Sequence, residues 1–218
     1  MESAYIKSLN VGKPQLLGSS RQFSAIHKSP ILTAQQVGLT GLLTDQQADK
    51  KFHGGTEQAL HQYALEHYDY WQELLPENHL FNTPGAFGEN ISSLGMTEET
   101  VMIGDCYRLG NTILEVSTVR QPCWKLNVRF DYLNMAKAVQ TQQKTGWYYR
   151  VIEEGFIQQG DTFELLDRPY PDYSLTRLLQ LLYGDPLNQA ELHQALQLKT
   201  LPANLKNLFQ KRLDTSVI

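Results

Sequence analysis

The two-residue step Gly110-Asn111 constrains this chain's fold more than any other feature, because it splits two strand-like runs at hairpin spacing. Gly and Asn tolerate the positive φ of a tight turn, so strands are expected at residues 106–109 and 112–117. A further strand is expected over 101–103, ahead of Gly104-Asp105. Weak alternation over 4–9 ends at Gly12-Lys13-Pro14, and 24–31 reads as a strand closing in a proline turn. Residues 147–152 and 162–166 read as strands, the second entered through Gly160-Asp161. The body is therefore mixed α/β and mainly β.

Helices are expected at two places in that body. Ala59, Leu60, Tyr63, Ala64, Tyr68, Trp71, Leu74 and Leu75 recur at helical spacing over 56–75, and Pro76 stops the run. A second helix is expected over 131–143 with Asp131 as its cap. Arg168-Pro169-Tyr170-Pro171-Asp172 reads as a linker. Beyond it three helices are expected over 174–183, 188–197 and 202–213, each opening on a capping residue or a first-turn proline. The division is a domain at 1–168 and a small C-terminal three-helix domain at 169–218. That tail is too short for a strong core of its own, so it should pack on the body or on a partner subunit, as in a homodimer.

Charge and cysteine content narrow the function. A net charge of −4 and a pI near 5.9 argue against a binder of duplex nucleic acid, though a local Lys/Arg cluster can still take a small anion. Two cysteines are too few for a disulfide scaffold. The opening Met1-Glu2-Ser3-Ala4-Tyr5-Ile6-Lys7 lacks a signal-peptide core, and no apolar stretch nears the ~20 residues of a membrane helix. The expected location is the cytoplasm.

Cys123 stands in Gln121-Pro122-Cys123-Trp124-Lys125, with Arg120 just before. Thiolate sulfur is the nucleophile and metal ligand, and Arg120 and Lys125 bring positive charge close in sequence. Pro122 places the cysteine on a loop just past a strand. The bland alternative is a small buried hydrophobe. Cys106, inside a hairpin strand, reads as core. Lys50-Lys51-Phe52-His53-Gly54-Gly55 joins cationic side chains to two glycines before an expected helix start, which suits a phosphate or a polar heterocycle; a plain turn is the commoner meaning. Asn90 could hydrogen-bond a ligand's amide edge or simply complete a turn. His61 and His67 are six apart and do not match the i, i+4 pairing of helical metal ligands. No G-x-S-x-G motif and no paired carboxylates stand out.

In consistent order along nearly the whole chain, these segments resemble the MOSC family and its YiiM-like branch. The stretches that carry the resemblance are Ser24-Ala25-Ile26-His27-Lys28-Ser29-Pro30-Ile31, Gly41-Leu42, residues 45–55, Ala86-Phe87-Gly88-Glu89-Asn90-Ile91, Gly104-Asp105, residues 121–127, Gly146-Trp147-Tyr148 and residues 149–155. The tail resembles the branch's small three-helix domain. One departure is Thr44, where the family usually has Gly before the Asp of this segment; a Cβ there disfavours positive φ.

The resemblance implies a β-barrel with peripheral helices, and a molybdenum cofactor (molybdopterin) whose metal is ligated by Cys123, the catalytic residue. It implies reduction of N-hydroxylated small molecules such as hydroxylaminopurine-type base analogues, a detoxification. Lys51, His53, Gly54 and Gly55 would meet the cofactor phosphate, with Arg120 and Lys125 nearby. Asn90 or Asn127 would meet the pterin edge. The chain has no flavin or nicotinamide fingerprint, so a separate reductase would supply electrons. Two other readings stay open. One is a non-catalytic carrier of cofactor or sulfur with Cys123 as a persulfide site. The other is an interaction module.

Overall fold

The computed structural model describes residues 3–48 and 54–215. Among them the strands run β1 (Tyr5–Gly12), β2 (Gln15–Leu16), β3 (Phe23–Ser24), β4 (Lys28–Ile31), β5 (Gln35–Gly38), β6 (Gly41–Leu42), β7 (Leu60–Ala64), β8 (Ile91–Leu94), β9 (Cys106–Leu109), β10 (Thr112–Val119), β11 (Trp147–Glu153), β12 (Gly155–Ile157) and β13 (Phe163–Asp167). One curled sheet has the order β13-β9-β10-β11-β7-β8-β1-β4. Its neighbours pair antiparallel except β7 and β8, which are parallel. A bridge between Tyr5 and Thr162, and the Ile6 N–H donating to the Asp161 carbonyl at 2.9 Å, bring the approach to β13 back onto β1. The sheet thus closes only part of the way. It is a curled half-barrel with several helices, the mainly β, barrel-type fold that was expected. β12, β5 and β6 form a smaller sheet, and β2 and β3 a short hairpin.

The hairpin at Gly110-Asn111 forms as expected, with Gly110 at φ 58° and Leu109 paired to Thr112. The expected strand over 24–31 is broken. Ser24 ends β3, and β4 begins at Lys28 on the sheet's edge, where Pro30 lies opposite Asn10 without costing a ladder bond. Residues 101–103 make a single bridge, Met102 to Ser174, instead of a strand.

The helix expected over 56–75 is the largest correction. A three-residue 3-10 turn, Thr56–Gln58, leads into β7, and the helix α1 covers only Glu66–Leu74. Every residue of β7 is buried, so its sequence lacks the alternation that marks a half-exposed strand. After α2 (Lys125–Arg129), the helix expected from Asp131 begins later, as α3 (Met135–Thr141). Asp131 has φ 49° and cannot be helical.

The tail holds α4 (Leu175–Leu179), running on into a π turn at Gln180–Gly184, then α5 (Gln189–Leu196) and α6 (Ala203–Thr215). Ser174 and Asn188 cap the first two, accepting from the N–H groups of Arg177 and Glu191. These helices share one hydrophobic core with the sheet: Leu175, Leu178, Leu192 and Phe209 pack in the same cluster as Ile103, Val116 and Tyr149. A second core lies under α1 and α2. There Tyr63 stacks on Phe87 with ring centroids 4.1 Å apart, and Trp71 Nε1 donates to the Tyr63 hydroxyl at 2.6 Å.

Candidate functional site

Five segments meet above that second core and enclose a polar cavity. The loop after β10 brings Arg120 and Cys123, β7 and β11 bring His61 and Tyr148, and β4 with the loop after β6 brings Lys28 and Asp45. Cys123 sits on the loop between β10 and α2, as its proline neighbour predicted, and is half-buried at the cavity wall. Lys125, half-buried in the first turn of α2, lines the same wall.

Lys28 and Asp45 form a buried ion pair, Nζ to Oδ2 2.5 Å. Burial pushes the Lys28 ammonium pKa down, and the Asp45 charge opposes that shift. The carboxylate is saturated further by the Asn90 amide at 2.9 Å and by the Gly12 N–H at 2.7 Å. Thr44 lies outside the positive-φ set, and its hydroxyl donates to Gln35 Oε1 at 2.5 Å, so the Gly-to-Thr departure leaves Asp45 in place.

Asn90 lines the cavity, but its amide is spent on the protein. Its Oδ1 accepts from the His61 N–H at 3.2 Å, and its Nδ2 donates to Asp45 and to the Asn10 carbonyl. The expected contact with a ligand's edge is thereby replaced by a bracket that holds β1, β7 and Asp45 together. The loop that carries Asn90 is fixed by Glu89. This fully buried carboxylate accepts from the Tyr68 and Ser92 hydroxyls and from the Gly85 and Phe87 N–H groups, at 2.7–3.0 Å.

Two buried polar atoms at the cavity have no partner among the described residues: His61 Nε2 and Arg120 Nη1. Such atoms are rare in folded proteins and call for an explanation. Burial, reinforced by the Arg120 charge, holds the His61 pKa well below its usual range, so the ring is neutral. The Tyr148 ring lies 5.1 Å from the His61 ring. Burial raises the Tyr148 hydroxyl pKa; Arg120 opposes that rise and Cys123 adds to it.

A third set of residues braces this wall from behind. Glu98 accepts from the Gly146 N–H at 2.7 Å and pairs with His67 Nε2 at 2.6 Å, while Lys144 Nζ sits 3.3 Å from His67 Nδ1. Glu98 and Lys144 thus hold the His67 ring from its two nitrogens. Gly146 in turn accepts the Arg120 N–H at 3.0 Å.

The remaining expected site residues divide. Gly54 lines the cavity at φ 112° with its N–H directed at Gln58 Oε1, 3.3 Å away. Gly55, at φ 83°, is exposed and off the cavity. Only the 3-10 turn follows them, so the expected helix N-terminus for a phosphate is not there. Lys51 and His53 lie outside the described residues. Asn127 is also off the cavity: its Oδ1 accepts from the Ala136 N–H at 2.8 Å and caps α3 in place of Asp131. Cys106 is half-buried rather than core, and burial together with Glu115, Asp167, Glu153 and Asp105 pushes its thiol pKa up.

Lys28, Asp45, His61 and Tyr148 were not singled out from the sequence as site residues. Assigning residues 60–64 to a strand would have revealed His61, since a histidine in a fully buried strand must face either a partner or a cavity.

Residues 49–164 match the MOSC domain, and residues 174–215 match the YiiM-like 3-alpha helix domain. Protein YiiM of Escherichia coli (strain K12) is 38% identical over 193 residues, covering 87% of this chain and 84% of that protein. A protein named reductase from Gibberella moniliformis (strain M3125 / FGSC 7600) is 42% identical over 158 residues; these are 72% of this chain but 27% of that one. The crystal structure of YiiM from Geobacillus stearothermophilus superposes with a TM-score of 0.81 at 33% identity, covering 96% of this chain and 99% of that one. Matched over residues 49–164 and 174–215 and similar along most of its length to these relatives, the chain belongs to the MOSC domain family and carries the YiiM-like three-helix extension.

Proposed function

We propose that this chain is a molybdenum cofactor-dependent reductase of N-hydroxylated small molecules, with Cys123 as its ligand to the metal. One observation carries the reading: Cys123 shares a polar cavity with two buried atoms that lack partners among the described residues, His61 Nε2 and Arg120 Nη1. The residues fit such a group. Thiolate suits a soft metal centre, and an anionic pterin phosphate needs cationic and N–H donors. Arg120 and Lys125 supply these from the described wall, and Lys51 and His53 would add to them from the segment beside Gly54. Bound there, the cofactor supplies the two electrons that cleave an N–O bond.

The chain's own part is placement and electrostatics. Lys28 is neutralised by Asp45, so the charge offered to an anion comes from Arg120 and Lys125. Neutral His61 adds hydrogen-bonding capacity without adding charge. The electrons come from a separate reductase, since this chain has no flavin or nicotinamide fingerprint.

The test is to load the protein with cofactor, add a chemical reductant and a hydroxylaminopurine, and measure the amine. Wild type should bind stoichiometric molybdenum and form amine, and Cys123→Ser should lose both. Undiminished turnover in Cys123→Ser would overturn the assignment. Bound cofactor without amine, with a persulfide on Cys123 by mass spectrometry, would replace the reductase by a carrier.

A further inference from the structure

The tail helices bury apolar surface against the sheet, yet their polar contacts lead toward the cavity. The first N–H groups of a helix have no partner inside it. At α4 they are satisfied by the segment that follows β8. The Thr176 N–H donates to the Glu98 carbonyl and the Leu175 N–H to the Val101 carbonyl, both at 2.9 Å. The Ile103 N–H donates back to the Tyr173 carbonyl at 3.1 Å. The tail thereby fixes the backbone of residues 98–103.

From that backbone the Glu98 side chain, 3% exposed, reaches the other way. Its Oε1 accepts from the Gly146 N–H at 2.7 Å, and its Oε2 lies 2.6 Å from His67 Nε2. The Tyr63 hydroxyl donates to the Lys144 carbonyl at 3.0 Å, so the turn 144–146 is held at both ends. Gly146 touches both residues that carry a partnerless atom in the cavity. It accepts the Arg120 N–H at 3.0 Å, and a Cβ built on it would stand 2.8 Å from His61 Nε2. Stability alone does not call for a carboxylate here, because apolar packing serves a buried position equally well. What the carboxylate adds is two fixed directions, one toward Gly146 and one toward His67.

Resting on the reading of this cavity as the cofactor site, we infer that Glu98 is a positioning residue for Arg120 and His61, and that the helical tail sets the cavity wall through it. Tail N–H groups fix the Glu98 backbone, the Glu98 carboxylate fixes Gly146, and Gly146 fixes Arg120 and bounds the His61 ring. Hydrogen bonds that run through packed elements can carry such coupling. The tail therefore acts on cofactor binding although none of its described residues lines the cavity.

The experiment uses the full chain, first without cofactor, and follows two NMR signals: the Arg120 backbone amide and the His61 ring nitrogens, the latter assigned with His61→Gln. Glu98→Ala removes the acceptor for Gly146. Glu98→Gln keeps a carbonyl oxygen there. Thr176→Pro removes the tail's N–H to Glu98 in a helical first turn, where proline is tolerated. Both signals should move in Glu98→Ala and in Thr176→Pro and stay near wild type in Glu98→Gln. Simple loss of stability would lower the melting temperature without moving either signal in the folded protein. In a host that makes the cofactor, molybdenum and pterin content should fall about 10-fold or more in Glu98→Ala and recover in Glu98→Gln. Unmoved signals in folded Glu98→Ala would overturn the positioning role. If that variant does not fold, unmoved signals in Thr176→Pro would overturn the coupling to the tail. Equal movement in Glu98→Gln would overturn the Gly146 hydrogen bond as the link. Moved signals with full cofactor content would overturn the effect on cofactor binding. Wild type that takes up no cofactor would overturn the cofactor reading instead, and the NMR comparison would still decide the positioning role.

Discussion

Lys28 and Asp45 show how a single contact can matter more to stability than to chemistry. Their side chains are 6% and 8% exposed, so neither charge is tolerable alone. Asp45→Ala leaves a buried ammonium without a counter-ion and should cost about 3–5 kcal/mol, read as a lower denaturant midpoint at unchanged slope. His61 sets a pH dependence. Its folded pKa lies well below the unfolded 6.5, so between the two values the unfolded chain binds a proton that the native chain does not. Stability therefore rises with pH in that window and is lost as pH falls below 6.5, by about 1.4 kcal/mol per unit at most from this group. Denaturation curves at stepwise lower pH should show that slope, and it should flatten in His61→Gln. Cys123 was legible in the sequence because a proline and two cations flank it. Tyr148 was not, since its proximity to Arg120 and Cys123 exists only once β11 pairs with β10.

At the scale of elements, the brace behind the cavity makes a sharp prediction at Gly146. Its φ is 72°, and a Cβ there would stand 2.4 Å from the Gln62 carbonyl oxygen. Gly146→Ala should lose roughly 1–3 kcal/mol from the strained backbone. It should also displace Arg120, whose N–H is bound to the same residue, so molybdenum and pterin content should fall even in protein that remains folded. Glu89→Gln tests the opposite loop. It keeps the shape but presents an amide N–H to donors that need an acceptor, and should cost about 1–3 kcal/mol by denaturation. Elements with exposed faces and local punctuation were readable: the Gly110-Asn111 hairpin, and the three tail helices with Ser174 and Asn188 as caps. β7 was read as helix because Ala59, Leu60, Tyr63 and Ala64 fit helical spacing equally well, and pairing with β8 and β11 decides the outcome. The start of α3 was misplaced because its cap, Asn127, comes from another element.

For the molecule as a whole, the tail is part of the body's core. Arg150 on β11 bonds Glu115, Glu57 beside the cavity turn, and the Thr200 carbonyl at 2.9 Å in the tail; Arg168 grips buried Asp105 at 2.7–2.8 Å. Calorimetry should therefore give one cooperative transition for the full chain. A chain truncated after residue 168 should aggregate or lose near-ultraviolet dichroism, because the face that meets Leu175, Leu178 and Leu192 would be uncovered. Two separate transitions would show that the tail folds alone.

Pro30 bears on how copies of this protein meet in a crowded cell. A strand at a sheet's margin normally offers a row of amide hydrogens that another polypeptide can zip onto, the first step toward amyloid-like stacking. Four residues long and missing one of those hydrogens, the outermost strand beyond β1 is a poor template, which favours keeping the half-closed barrel dispersed.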